Sequence, residues 1–227
     1  MQLCVALDLP SLSQNLDLVR ALRGLDVWMK VGLRAFVRDG KPFLEEIRAI
    51  DPSFKIFLDL KLHDIPNTMA DAAEAVTQMG VEMFNVHASA GKEAMQTVMA
   101  RVNTMPKPPL VLAVTALTSF EEKGFSAVYN ASIEAKATQF AKDAFESGLH
   151  GVVCSVYESQ KIKTFTCKEF LTLTPGIRPF GEEAGDQKRV ATVEIAKAEK
   201  SDFIVVGRPI YQAADPRSVV KSILERF

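Results

Sequence analysis

The run Phe57 to Thr68, FLDLKLHDIPNT, carries Asp59, Lys61 and Asp64 in and just after a segment whose first half is otherwise apolar. Alternate side chains of a strand share a face, so Phe57, Asp59 and Lys61 point one way and Ile56, Leu58, Leu60 and Leu62 the other. A buried Asp–Lys ion pair can be purely structural, but isolated buried pairs contribute little stability and can be net unfavourable. The pattern therefore favours chemistry. Asp8 ends an earlier apolar run, and Lys30 sits late in another. Taken singly, they read equally as a turn or cap aspartate and a surface lysine. Taken with Asp59, Lys61 and Asp64, they make an alternating carboxylate–ammonium cluster. Charges fixed in a partly dry site act strongly on a reacting group. Asp64 on its own also fits a helix N-cap ahead of Pro66.

A second signal lies near the C-terminus. TPGIRPFGEEAGDQKR (174–189) is a long Gly/Pro-rich loop, and VVGRPI (205–210) sets Gly207 and Arg208 at the end of an apolar run. Glycine lets backbone N–H groups approach an anion, and arginine offers a bidentate fork. Arg178 and Gln187 are further partners for a phosphate. The alternative is an ordinary lid, in which Glu182, Glu183 and Asp186 face solvent. His63, His87 and His150 have no common metal-ligand spacing and read as packing or hydrogen-bonding residues.

These residues need elements to hold them. Short apolar runs occur at 3–9, 27–32, 55–62, 83–88, 110–117, 151–155, 170–174 and 203–207. Amphipathic stretches lie between them. Helices are predicted over 68–79, before Gly80, over 133–147, before Gly148, and over 188–199 and 216–226. Eight β runs alternating with helices predict a closed (β/α)8 barrel, an α/β fold, as a single catalytic domain over 1–227. An open doubly wound sheet is the alternative, but no Gly-rich dinucleotide fingerprint follows the first strand. In a barrel the charged face of 55–62 looks inward near the strand's C-terminal end, where barrel enzymes place their chemistry. The loops after strands 7 and 8 are a common phosphate site.

The chain has 227 residues, 48% of them hydrophobic, and a net charge of −1. That is enough for a sizeable core. No charge block suggests a nucleic-acid or membrane-surface partner. No apolar run approaches the ~20 residues of a membrane span. The start has no basic leader, and Cys4, Cys154 and Cys167 are an odd set without metal or redox spacing. Reduced thiols in the cytoplasm are the expectation.

FLDLKLHDIPNT resembles the Asp-x-Lys-x-x-Asp-Ile-Pro-Asn-Thr signature of the orotidine 5′-monophosphate decarboxylase family. ALDLP (6–10), MKVG (29–32), NVHAS (85–89), VTALTS (114–119), LTPGIRP (173–179), GDQKR (185–189) and VVGRPI (205–210) continue the resemblance in order. Ala90, Val193 and Lys200 depart from it, outside the charged positions. The resemblance implies a (β/α)8 barrel, a homodimer, and no metal or organic cofactor. It implies conversion of orotidine 5′-monophosphate to uridine 5′-monophosphate and CO2. It also implies roles. Asp8 and Lys30 match residues at the ribose, and Lys30, Asp59 and Lys61 a charged array at the reacting carbon. Asp64, Ile65 and Thr68 match residues reaching into the partner subunit's site. Thr118 matches a pyrimidine contact, and Arg178, Gln187, Gly207 and Arg208 a phosphate grip.

Two other functions fit parts of the pattern. A metal-dependent barrel acting on a sugar phosphate can share an Asp-x-Lys-x-x-Asp strand but would need a magnesium site; the Ile-Pro-Asn-Thr extension speaks against it. A non-catalytic nucleotide sensor would not need the complete charged cluster.

Overall fold

The computed structural model describes residues 1–181 and 189–227. Eight strands follow one another around a closed, wholly parallel barrel: β1 (Gln2–Ala6), β2 (Trp28–Gly32), β3 (Lys55–Leu62), β4 (Met83–His87), β5 (Leu110–Val114), β6 (Gly151–Val153), β7 (Leu171–Thr174) and β8 (Phe203–Val206). Closure is made by β8 against β1, with Gln2 opposite Phe203 and Val5 opposite Val206. The helices are α1 (Leu12–Ala21), α2 (Leu33–Ile50), α3 (Pro66–Gln78), α4 (Lys92–Val102), α5 (Glu122–Tyr129), α6 (Ile133–Glu146), α7 (Val156–Phe165), α8 (Val193–Ala198), α9 (Arg208–Tyr211) and α10 (Pro216–Leu224). Among the described residues no helix is long and apolar enough to cross a membrane.

Period-2 alternation builds two cores. On β1, Leu3 and Val5 face the helices, and Cys4 and Ala6 face the barrel axis. On β3, Ile56 and Leu58 join the outer core and Phe57 the inner one. Trp28 and Phe203 meet edge-to-face inside the barrel with ring centroids 5.4 Å apart.

The predicted runs at 3–9, 110–117 and 151–155 outlast the strands they contain. Beyond each strand end only a rung or so of pairing remains, such as Leu7 N–H to Lys30 O at 3.0 Å and Thr115 N–H to Val153 O at 3.1 Å. The residues after it turn to line the mouth. The helix predicted over 188–199 begins only at Val193, because the Thr192 side chain accepts from Ile195 N–H and so caps it there. Ala191 forms an isolated parallel bridge with Ile177 instead. The helix predicted over 68–79 starts earlier, at Pro66, whose fixed φ suits a first helical position. α1, α2, α4, α5, α7 and α9 were given no bounds from the sequence; in α2, Gly40, at φ 63°, divides the helix ahead of Pro42 and interrupts its periodicity.

Candidate active site

Four charged side chains meet at the C-terminal end of β1–β3. Lys30 lies in register between Ala6 of β1 and Phe57 of β3. Its Nζ is 3.4 Å from Asp8 Oδ1 and 3.4 Å from Asp59 Oδ2. The other oxygen of Asp59 is 2.5 Å from Lys61 Nζ. The result is an unbroken line, Asp8–Lys30–Asp59–Lys61, in which Asp59 gives one oxygen to each ammonium.

The electrostatics follow from that order. Burial alone would raise the pKa of Asp59. The Lys30 and Lys61 ammonium groups outweigh it, with hydrogen bonds from Lys61 and Asn85, and hold the carboxyl at about 2. Burial likewise favours neutral Lys30, yet Asp59 and Asp8 outweigh it and raise its pKa above the ordinary value. Near neutral pH the site therefore holds a fixed Asp59 anion and a fixed Lys30 cation, both largely buried.

Even alternation along β3 does not persist through the site. Leu58 pairs with Phe84 and Leu62 with Val86, so β3 spends four residues where β4 spends two. The irregularity contains Lys61, whose φ is +56°. A non-glycine residue there costs of order 1–3 kcal/mol and persists only where its surroundings impose it. The predicted faces nonetheless hold: Phe57, Asp59 and Lys61 line the cavity, and Leu60 and Leu62 pack against the outer core.

That cavity has a volume of about 530 Å³. Asp8, Lys30, Asp59 and Lys61 line it together with Thr118, Arg178, Gly207 and Arg208. Arg178 is buried and donates from Nη1 to Ile177 O at 3.0 Å. Gly207 follows β8 where a Cβ would stand 3.3 Å from Ala6 Cβ, so the backbone comes close to β1. Gln187, with Glu182, Glu183 and Asp186, lies outside the described residues.

Asp64, Ile65 and Thr68 are not brought to this cavity; all three are exposed near the start of α3. The N-cap position of α3 is Ile65, so Asp64 is not the helix cap that Pro66 suggested. Its Oδ1 accepts from Ile65 N–H at 2.7 Å. The histidines pack and hydrogen-bond. His87 Nδ1 lies 2.7 Å from Ser89 Oγ, its ring is 5.7 Å from that of His63, and burial, then His63 and Lys61, push its pKa down to about 4. His150 Nδ1 accepts from Val111 N–H at 3.0 Å. Cys4 and Cys154 are buried thiols whose pKa burial pushes up.

Two residues that support the charged line, Asn85 and Gly32, escaped sequence reasoning, as did Ser119 and Tyr211 of the cavity lining. Asn85, fully buried on β4, donates from Nδ2 to Asp59 Oδ1 at 2.7 Å and accepts at Oδ1 from Lys61 N–H at 2.7 Å. Its signal was a lone amide inside the apolar run MFNVHA. Gly32 pairs with Asp59 across β2 and β3 and leaves room for Asp8 and Lys30.

The chain and its architecture have close counterparts. The chain is 67% identical over 224 residues to orotidine 5′-phosphate decarboxylase of a Nitratiruptor species, covering 99% of each chain. It is 63% identical to that of Sulfurimonas denitrificans, covering 100% of each. The crystal structure of orotidine 5′-phosphate decarboxylase from Lactobacillus acidophilus superimposes with a TM-score of 0.86 at 35% identity, covering 100% of this chain and 98% of that one. The family model for Orotidine 5′-phosphate decarboxylase / HUMPS matches residues 1–223. With the family model and full-length relatives in agreement, the chain belongs to the orotidine 5′-phosphate decarboxylase / HUMPS family.

Proposed function

We propose that this chain, as a single catalytic domain, converts orotidine 5′-monophosphate to uridine 5′-monophosphate and CO2, with Lys61 as the proton donor. The observation that carries the reading is the Lys61–Asp59 contact at 2.5 Å on the wall of a cavity that Arg178 and Arg208 also line.

Cleavage of the bond from C6 to the carboxylate releases CO2 and leaves the bonding pair on C6. That pair lies in the ring plane and is not delocalised into the π system. A cation must stabilise it and then protonate it. Lys61 does both: its ammonium faces the developing charge, gives C6 a proton and regains one from solvent. Asp59 crowds the substrate carboxylate and favours its departure. Lys30 and Asp8 hold the ribose region, Thr118 the pyrimidine, and Arg178, Gln187, Gly207 and Arg208 the phosphate. Binding energy from the phosphate, remote from the reacting carbon, drives water from the site. The chemistry needs neither a metal nor an organic cofactor. The working enzyme is a cytoplasmic homodimer in which Asp64, Ile65 and Thr68 complete the partner's site. The exposure of Asp64 and Ile65, away from their own chain's cavity, supports that exchange.

The test is loss of orotidine monophosphate absorbance in chelator-treated buffer, for the parent and for Lys61→Ala. The parent is expected to turn over without added metal, and the variant to lose many powers of ten while still binding product nucleotide. Turnover by Lys61→Ala within tenfold of the parent would sink the reading, as would a requirement for magnesium. A lysine can instead form a Schiff base. Borohydride with substrate is therefore expected to leave no covalent adduct by mass spectrometry.

A further inference from the structure

We infer that Asn85 is a positioning residue of the reaction: it holds Lys61 in its positive-φ conformation and aims Asp59 at the Lys61 ammonium. The inference rests on the decarboxylase reading for its kinetic readouts, and on geometry alone for its structural one.

The amide of Asn85 is used at both ends, and both partners belong to the site. Nδ2 donates to Asp59 Oδ1, the oxygen that also contacts Lys61 Nζ. Oδ1 accepts from the backbone N–H of Lys61. One buried side chain thus fixes the carboxylate and the backbone of the residue that carries the ammonium.

This second contact fills a gap in the sheet. Regular pairing between β3 and β4 lapses between Leu58 and Leu62. A buried backbone N–H without a ladder partner needs another acceptor, and Asn85 supplies it to Lys61. A lysine has no intrinsic preference for φ +56°, so a specific bond at that residue's own N–H is the direct means of holding it. Aspartate, leucine and alanine each fail to reproduce the amide: the first cannot donate when ionised, and the others have no polar atom.

Among the described residues, Asn85 bonds to Asp59 and Lys61 on β3 and reaches Lys30 on β2 through Asp59, while His87, two residues on along β4, feels the Lys61 charge. An Asn85→Asp carboxylate would therefore face Asp59. It could donate to Asp59 only when protonated, which makes its activity depend on pH in a way that a space-filling role would not.

The experiment takes the parent, Asn85→Ala and Asn85→Asp, measures kcat and KM for orotidine monophosphate across pH 5–9, and solves the crystal structure of Asn85→Ala. For Asn85→Ala, kcat is expected to fall roughly ten- to a hundredfold, the scale of one charge-assisted hydrogen bond, with KM within about threefold. For Asn85→Asp, kcat relative to the parent is expected to rise as pH falls. In the crystal, Lys61 is expected to leave positive φ or Nζ to leave Asp59. Parent-like kcat in both variants, or an unchanged Lys61 in the crystal, overturns the inference. If Asn85→Ala fails to fold, the isosteric Asn85→Asp decides by its pH profile: a ratio to parent that is flat with pH overturns the inference. If the parent itself does not consume orotidine monophosphate, the functional reading falls, and the position of Lys61 in the variant crystal still decides the role of Asn85.

Discussion

Gly32 lies directly against Lys30: a Cβ added to Gly32 would stand 3.2 Å from the lysine Nζ and 3.0 Å from Asp8 Oδ1. The φ of Gly32 is −82°, which any residue adopts, so glycine is needed here for space alone. The first prediction follows. Gly32→Ala pushes only the ends of two side chains, so its cost in stability is expected to stay within about 1 kcal/mol. The same push displaces the Lys30 ammonium from between Asp8 and Asp59, and turnover is expected to drop at least about tenfold. Urea unfolding and steady-state kinetics on one preparation check both. Unchanged turnover would show that the Asp8–Lys30 contact has no part in catalysis.

The second prediction concerns pH. Asp59 has a folded pKa of about 2, below the ordinary 3.8. A depressed carboxyl pKa contributes stability that is fully present above the unfolded value and is lost as pH falls through the folded one. The difference corresponds to about 2 kcal/mol near neutral pH. Asp59→Asn removes that titration. The stability gap between parent and variant, from urea unfolding at fixed temperature, is expected to be constant from about pH 8 to 5. It should narrow by roughly half near pH 3. A gap that ignores acid would mean that the carboxylate is not held by the two lysines.

The charged strand was legible because Asp59 and Lys61 interrupt an apolar run, and burying charge is too costly to be casual. The barrel was legible because eight runs alternate with helices, and β3 came out with the predicted bounds, 55–62. What the sequence hid depends on distant partners. Asn85 meets residues 24 and 26 positions away, and nothing local marks MFNVHA as a support for Lys61. The need for glycine at position 32 arises only once β1 brings Asp8 across from it. The positive φ of Lys61 contradicts local preference, as site residues held by tertiary contacts can. The α2 helix was hidden for a local reason, the break at Gly40 and the proline after it. Gln187 lies outside the described residues, so its predicted phosphate contact stays a proposal.

The third prediction separates phosphate binding from chemistry. Arg208 opens α9 directly after Gly207, lining the cavity at the end of β8. If Arg208 grips phosphate, Arg208→Ala is expected to lower kcat/KM for orotidine monophosphate about a hundredfold or more, the scale of losing a charge-assisted bidentate contact. Use of the phosphate-free nucleoside, which never had that contact, should change by less than about threefold. Parallel assays of the two substrates decide. Equal losses on both would make Arg208 a structural residue.

The fourth prediction tests the shared site. Asp64 and Ile65 stand at the rim after β3, outside their own cavity, and Ile65 exposes 67% of its surface. Leu33 and Val37 of α2, which follows the neighbouring strand β2, expose 57% and 76%. Apolar side chains left open beside a catalytic strand suit a two-fold interface, in which each chain lends the same loop to the other. Take Lys61→Ala and Asp64→Asn, each expected to be nearly inactive alone. Dissociate them, mix them in equal amounts and let them reassociate. A mixed dimer has one site with both defects and one intact site. Random pairing makes about half the dimers mixed, so about one quarter of all sites should regain activity. If Asp64 serves its own chain, every site in every dimer keeps a defect and mixing restores nothing. No recovery, with subunit exchange verified by mass, would therefore return Asp64 to its own chain, where its Oδ1 accepts from the N–H of Ile65.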